Sequence, residues 1–278
     1  MTFIDKLRSI QQSNNSLLCI GLDTDVARIP EALRNHDRPQ FEFNRRIIEA
    51  TKDLVCAYKI NSAFYEAEGE AGWRALSDTL NAIPPSVISI GDVKRGDIGN
   101  SSERYASAFL HKLRFDAVTL SPYMGKDSLA PFLQSAEQGA FVLAVTSNPG
   151  AKDFQHLKVG KKFLYEKVVE KALKWSSKKN LGFVVGATQP KELKLVRKAA
   201  PSVPLLIPGV GSQGGSLEMA VRYGCDKNGF MAVINASRSI LFASDAEEFA
   251  DAARKEAVKL REEINTWRGK FFNHPSNR

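Results

Sequence analysis

Val87-Ile88-Ser89-Ile90-Gly91-Asp92-Val93-Lys94-Arg95-Gly96-Asp97-Ile98 opens as an apolar β-run and closes in charge, and a segment of helical period over Ser101–Leu113 follows it. The same unit recurs along the chain. Further strand candidates are Leu17–Leu22, Leu54–Lys59, Ala117–Leu120, Ala140–Thr146, Gly182–Gly186, Pro204–Ile207 and Gly229–Ile234. Helical patterns fall at Phe41–Lys52, Ala63–Ala82, Asp127–Glu137, Phe163–Ser176, Pro190–Ala199, Gly215–Tyr223 and Asp245–Trp267. Strands separated by helices pair in parallel, because parallel neighbours need a crossover. An open doubly wound sheet is compatible with that alternation, but eight βα units in about 250 residues are what a closed (β/α)8 TIM barrel uses. No Pro/Gly/Ser-rich linker divides the chain. The sequence therefore reads as one α/β barrel domain over residues 1–278, with a helix in residues 1–16 closing its bottom and a loose tail over 269–278.

Composition narrows the class. The chain has 278 residues, 43% of them hydrophobic, enough to bury a large core and to exclude disorder as the main state. No apolar run approaches the roughly 18–20 residues of a membrane span. The start, Met1-Thr2-Phe3-Ile4-Asp5-Lys6, lacks the apolar core of a signal peptide. Cys19, Cys56 and Cys225 form neither a metal-spaced pair nor a disulfide framework, so a reducing, cytoplasmic location is expected. The net charge of +8 could serve nucleic acid, a membrane surface or a small anion. Its densest basic stretch, Lys158 to Lys179, is interleaved with apolar residues at helical spacing and reads as an amphipathic helix with a solvated basic face. No aromatic-interleaved RNA motif or helix-turn-helix pattern accompanies it, so no nucleic-acid partner is expected.

In such a barrel the chemistry sits at the carboxyl ends of the strands. The first strand candidate runs into Asp23, the second ends at Lys59, and the third carries Asp92 and Lys94. Alternation places Ile90, Asp92 and Lys94 on one face, as it does Val55, Ala57 and Lys59. Asp97 falls on the turn into the next helix. Taken singly, these residues read as an ion pair and a helix cap. Clustered at a barrel mouth, they bear desolvation costs that rarely favour stability, and such a cluster usually positions charge against a substrate.

A second signal lies downstream. Pro208-Gly209-Val210-Gly211-Ser212-Gln213-Gly214-Gly215 follows the seventh strand candidate, and Asn235-Ala236-Ser237-Arg238 follows the eighth. Loops at these two positions form the usual phosphate site of such barrels. Glycines allow close backbone approach, and arginine supplies a planar donor fork. No glycine turn of the dinucleotide-binding kind follows the first strand, and no Walker lysine motif is present. The histidines, His36, His111, His156 and His274, are scattered, and lysines crowd the candidate carboxylates, so no metal site is expected. A Schiff-base aldolase using Lys59 or Lys94 is the strongest alternative from the residues alone.

Asp92-Val93-Lys94-Arg95-Gly96-Asp97-Ile98 resembles the Asp-x-Lys-x-x-Asp-Ile signature of the orotidine 5′-phosphate decarboxylases. Leu22-Asp23, Ala57-Tyr58-Lys59-Ile60-Asn61, Thr146-Ser147-Asn148-Pro149-Gly150, Val185-Gly186-Ala187-Thr188, Pro208–Gly215 and Ala236-Ser237-Arg238-Ser239 also have counterparts there. The wording Thr-Ser-Asn-Pro-Gly-Ala and Val-Gly-Ala-Thr is similar to the longer, mostly bacterial (type 2) branch. The resemblance runs from about residue 17 to 245. It implies cofactor-free conversion of orotidine 5′-monophosphate to UMP and carbon dioxide, in de novo pyrimidine synthesis.

By position, the resemblance makes Lys59, Asp92 and Lys94 a charged array, with Lys94 as proton donor. Asp97 would complete the array from the partner subunit of a homodimer. It gives Asp23 and Lys59 the ribose hydroxyls, Ser147 the pyrimidine, and Gln213 and Arg238 the 5′-phosphate, helped by backbone N–H groups around Gly214 and Ser237. Ile98 and Ser101 would reach across the interface to the base and the ribose. Two residues depart from the family pattern: Ile60 stands where the long branch often has proline, and Ser101 replaces a threonine but keeps its hydroxyl. Magnesium-dependent sugar-phosphate decarboxylases and an aldolase share Asp-x-Lys-x-x-Asp but carry an acidic residue at the position of Lys59. Lysine there points to the nucleotide substrate and away from magnesium.

Overall fold

Leu18–Gly21, Ala117–Leu120, Leu181–Val185 and Ala232–Ala236 are buried at every position. A strand can be so only when both of its faces are covered, here by barrel interior on one side and helices on the other. The computed structural model describes residues 1–210 and 214–272. Its strands are β1 (Leu18–Gly21), β2 (Ala57–Asn61), β3 (Ile88–Arg95), β4 (Ala117–Leu120), β5 (Gly139–Val145), β6 (Leu181–Val185), β7 (Leu205–Pro208) and β8 (Ala232–Ala236). Each pairs in parallel with the next, and β8 returns to β1 through Leu18↔Ile234 and Ile20↔Ala236, closing the barrel. Sequence and structure agree on the (β/α)8 architecture.

The helix Phe3–Ser13 closes the bottom, at the amino ends of the strands. Phe3 meets Phe141 edge-on at 5.9 Å. Gln11 donates to the Ala232 carbonyl at 2.7 Å and accepts from the Met231 N–H at 3.0 Å, satisfying backbone groups at the start of β8. Beside it the half-buried Arg197 side chain donates to the carbonyls of Ala200 and Val203, and desolvation lowers its pKa to about 10.

Several elements differ from their expected form. The pattern over 127–137 is not one helix. A helical turn at Lys126–Leu129 passes into a 3-10 turn at Ala130–Leu133, because Pro131 lacks the N–H an α-helix needs. The basic stretch from Lys158 is not helical throughout. Lys158–Val159 and Lys162–Phe163 form a two-stranded hairpin, turned at Gly160 with φ +67, and the helix begins at Leu164. The final helix runs from Phe249 to Phe272, four residues into the tail expected to be loose. Phe271 stacks on Trp267 at 5.8 Å, which gives that last turn an apolar anchor.

β3 carries the departure that matters most for the mouth. Gly91 pairs with Val118 and Arg95 with Leu120, so four residues of β3 span the rise of two on β4. This bulge puts Lys94 at φ +45, in the left-handed region that residues with side chains seldom enter. Gly96 follows where a Cβ would lie 2.6 Å from the Ser121 carbonyl oxygen, so only glycine fits against β4's exit.

Candidate active site

The carboxyl ends of the strands open on a cavity of about 320 Å³. One wall is made by Asp23, Lys59, Asn61, Asp92 and Lys94, a second by Thr146, Ser147 and Asn148, and a third by Gly209, Val210, Ser237 and Arg238. Strand register sets the first wall: Gly21 lies beside Lys59, and Asn61 beside Asp92, so the side chains that follow converge.

At the centre of that wall the Lys59 ammonium, 5% exposed, stands 3.1 Å from Asp23 Oδ1 and 3.1 Å from Asp92 Oδ2. The Lys94 ammonium, half exposed to the cavity, donates to Asp92 Oδ1 at 2.7 Å. The Thr119 hydroxyl donates to the same oxygen at 2.9 Å. Burial alone would push the Asp92 carboxyl up, but the ammonium groups of Lys59 and Lys94 and these hydrogen bonds outweigh it and hold it below the usual carboxylate range. Burial likewise pulls Lys59 down, and the carboxylates of Asp23 and Asp92 more than offset it, holding the ammonium well above its usual range. Beneath them the buried Cys19 thiol contacts Asn235 Oδ1 at 3.4 Å, and burial raises its pKa well above the usual value.

Opposite signs follow for pH. A depressed carboxyl contributes stability that is complete above its unfolded value, about pH 4, and is lost as the pH falls further. A raised lysine contributes stability that is complete below about pH 10 and is lost only as the pH rises beyond it. Relative to Asp92→Asn, the wild-type Tm should therefore hold a constant offset from about pH 5 to 9 and lose ground by a few degrees below about pH 4. Paired calorimetric melts across that range check this. An offset that stayed flat below pH 4 would show Asp92 with an ordinary carboxylate pKa in the fold, and one that already shrinks between pH 7 and 5 would show a raised one.

The structure brings together Asp23, Lys59, Asp92, Lys94, Ser147, Ser237 and Arg238 on one cavity. It does not bring Asp97, Ile98, Ser101 or Gly214 onto the same chain's cavity wall. Asp97 accepts from the Ile98 N–H at 2.8 Å, Ile98 is 63% exposed, and Ser101 lies on the exposed side of the helix Gly99–Ala106. Gly214 is exposed with φ +78, and Gln213 lies outside the described residues. Among the wall residues that were not sequence candidates are Thr119 on β4 and Asn235 on β8. The usable signal was position, since each is a polar residue next to the last in an otherwise apolar strand. Arg238 opens the short helix Arg238–Leu241, and among the described residues its guanidinium has no ion-pair partner.

The sequence profile of the orotidine 5′-phosphate decarboxylase / HUMPS family matches residues 16–253. The chain belongs to that family. It is 49% identical over 275 residues, 98% of this chain and 100% of the relative, to the orotidine 5′-phosphate decarboxylase of Dehalococcoides mccartyi strain 195. It is 51% identical over 257 residues, 92% of this chain and 95% of the relative, to that of Herpetosiphon aurantiacus. The solved structure of Leishmania donovani OMP decarboxylase superposes with a TM-score of 0.84 at 39% identity, covering 96% of this chain and 99% of that one. The orotidine 5′-phosphate decarboxylase / HUMPS family thus accounts for the whole barrel, from the first strand into the final helix.

Proposed function

We propose that this protein decarboxylates orotidine 5′-monophosphate to UMP in the cytoplasm, as a homodimer, with Lys94 as the group that protonates the product. The observation that carries the reading is the Asp23–Lys59–Asp92–Lys94 chain of contacts on one wall of a cavity that Arg238 also lines, its guanidinium without an ion-pair partner among the described residues. That layout suits a substrate with a reacting ring at one end and a phosphate at the other.

Loss of carbon dioxide leaves an electron pair on the ring carbon, and there is no neighbouring electron sink. The Lys94 ammonium, held against Asp92 at 2.7 Å, offers a fixed positive charge to that carbon and then its proton, and solvent returns a proton to the lysine. Lys59 and Asp23 bind the ribose hydroxyls, and Ser147 contacts the pyrimidine. Arg238, with Ser237, Gln213 and Gly214, holds the phosphate. A Schiff-base route through Lys59 is disfavoured, because an amine nucleophile needs a lowered pKa, whereas two carboxylates keep this one charged. Its ammonium also occupies the place between Asp23 and Asp92 that a magnesium ion would need.

Asp97 reaches a cavity only in a partner, and the surface around it supports such a partner. Ile98, Tyr123, Met124 and Phe154 are 63%, 82%, 45% and 59% exposed. The Ser121 N–H donates to the Arg95 carbonyl, holding the exits of β3 and β4 together, and Tyr123 meets Phe154 at 6.3 Å, so the loops that leave these two strands both carry exposed apolar side chains. The three free, buried cysteines suit a reducing cytosol, and among the described residues no helix is long and apolar enough to cross a membrane.

The shared site has a direct test. Asp97→Ala and Lys94→Ala should each be nearly inactive, yet after mixing and subunit exchange the pair should recover about a quarter of wild-type activity. Half of the dimers are then mixed, and each mixed dimer has one intact site. No recovery, with exchange verified by mass, would remove Asp97 from the partner's site.

A further inference from the structure

We propose that Thr119 is a positioning residue: its hydroxyl ties the bulged backbone of Lys94 to the carboxylate of Asp92 and so fixes where the Lys94 ammonium stands. The proposal rests on the reading of Lys94 as the proton-delivering group.

Three contacts meet at this side chain. Thr119 Oγ1 accepts from the Lys94 backbone N–H at 3.0 Å and donates to Asp92 Oδ1 at 2.9 Å. Lys94 Nζ reaches that same oxygen at 2.7 Å. A hydroxyl has one proton to give, and it goes to the carboxylate, leaving its lone pairs for the amide. Thr119 is 1% exposed and is the second-last residue of β4.

The need for such a tie arises from the bulge. Across the stretch from Gly91 to Arg95, β3 leaves register with β4, so the ladder gives the Lys94 N–H no carbonyl partner there. Lys94 also sits at φ +45, a conformation that its neighbours must hold in place. The Thr119 hydroxyl replaces the missing ladder bond and points the lysine stem toward the cavity. It also fixes the carboxylate to which the ammonium is anchored. Both ends of Lys94, backbone and tip, are thus referenced to one atom on the adjacent strand. Lys59 fixes the other oxygen of Asp92 independently, at 3.1 Å, so losing the hydroxyl frees the lysine without dissolving the array.

Thr119→Val keeps the shape and removes both hydrogen bonds, whereas Thr119→Ser keeps the hydroxyl. With orotidine 5′-monophosphate as substrate, Thr119→Val should lower kcat by about 100-fold, the loss typical of a displacement of about 1 Å at a reacting group. Its KM should stay within about threefold, because no contact to ribose or phosphate changes. Thr119→Ser should restore kcat to within about threefold of wild type. A general loss of packing would move kcat and KM together and would not be rescued by serine. Should Thr119→Val fail to fold, Thr119→Ala carries the same expected loss. A valine or alanine variant with wild-type kcat, or a serine variant as slow as either, overturns the proposal. Lys94→Ala measured alongside separates the two levels. If it is active, the reading of Lys94 fails; if it is inactive beside a fully active Thr119→Val, only the role of Thr119 fails.

Discussion

Lys94→Ala should lower kcat on orotidine 5′-monophosphate by at least about 10⁴-fold while the barrel stays folded. Two effects are lost together. Proton transfer from a positioned acid is worth about 10²–10⁴-fold, and one preorganised charge or donor facing developing negative charge about 10²–10³-fold. They act on the same carbon in succession, so their product bounds the loss. Stability should change little, because the side chain is half exposed and its one carboxylate partner keeps Lys59 and Thr119. Binding of UMP should persist within about tenfold, since ribose and phosphate contacts lie elsewhere. The assay is the fall in substrate absorbance with purified protein in excess chelator. It should be paired with a melt of each protein and with borohydride treatment, which should trap no adduct on either. Residual kcat above about 1% of wild type would remove Lys94 from the proton-delivering role.

The charged wall could be read from the sequence, and the way it is held could not. Asp92 and Lys59 meet because side chains alternate along a strand and consecutive strands of a βα barrel are neighbours, and the repeating pattern of the sequence displays both. Lys94 meets Asp92 for a different reason than alternation alone. The bulge between Gly91 and Arg95 reorients the strand there, and a bulge is defined against the partner strand, which no single segment encodes. Thr119 escaped notice because threonine in a strand is an ordinary β-former, and its meaning lies in one hydroxyl's partners. The hairpin before Leu164 was hidden because Val159 and Phe163 stand four apart, a spacing shared with a helix face. Pro131, by contrast, was a visible signal that the pattern over 127–137 could not be one helix. Asp97 shows the limit of a single chain. Its sequence position resembles a site residue and its place in the fold is an outer turn; the proposed homodimer would reconcile the two.

Arg238→Ala should reduce kcat/KM by about 10³-fold, about 4 kcal/mol, although the residue touches no reacting atom. Each charge-assisted hydrogen bond to a phosphate is worth about 1.5–3 kcal/mol, and a guanidinium can give two in parallel. No acidic side chain among the described residues holds this guanidinium in advance, so its interaction with the phosphate is not offset by an ion pair broken on binding. Backbone donors near Ser237 remain and set a floor to the loss. Most of the effect should appear in KM, with some in kcat, because binding energy from a remote group also drives closure and desolvation around the ring. Orotidine, which lacks the phosphate, supplies the control. Wild type and Arg238→Ala should turn it over equally slowly, so the advantage of the phosphorylated substrate should shrink in the variant by the same factor of about 10³. If the variant kept near-normal kcat/KM on the nucleotide, the phosphate would sit elsewhere. If it lost as much on orotidine, the arginine would be supporting the barrel rather than reading the phosphate.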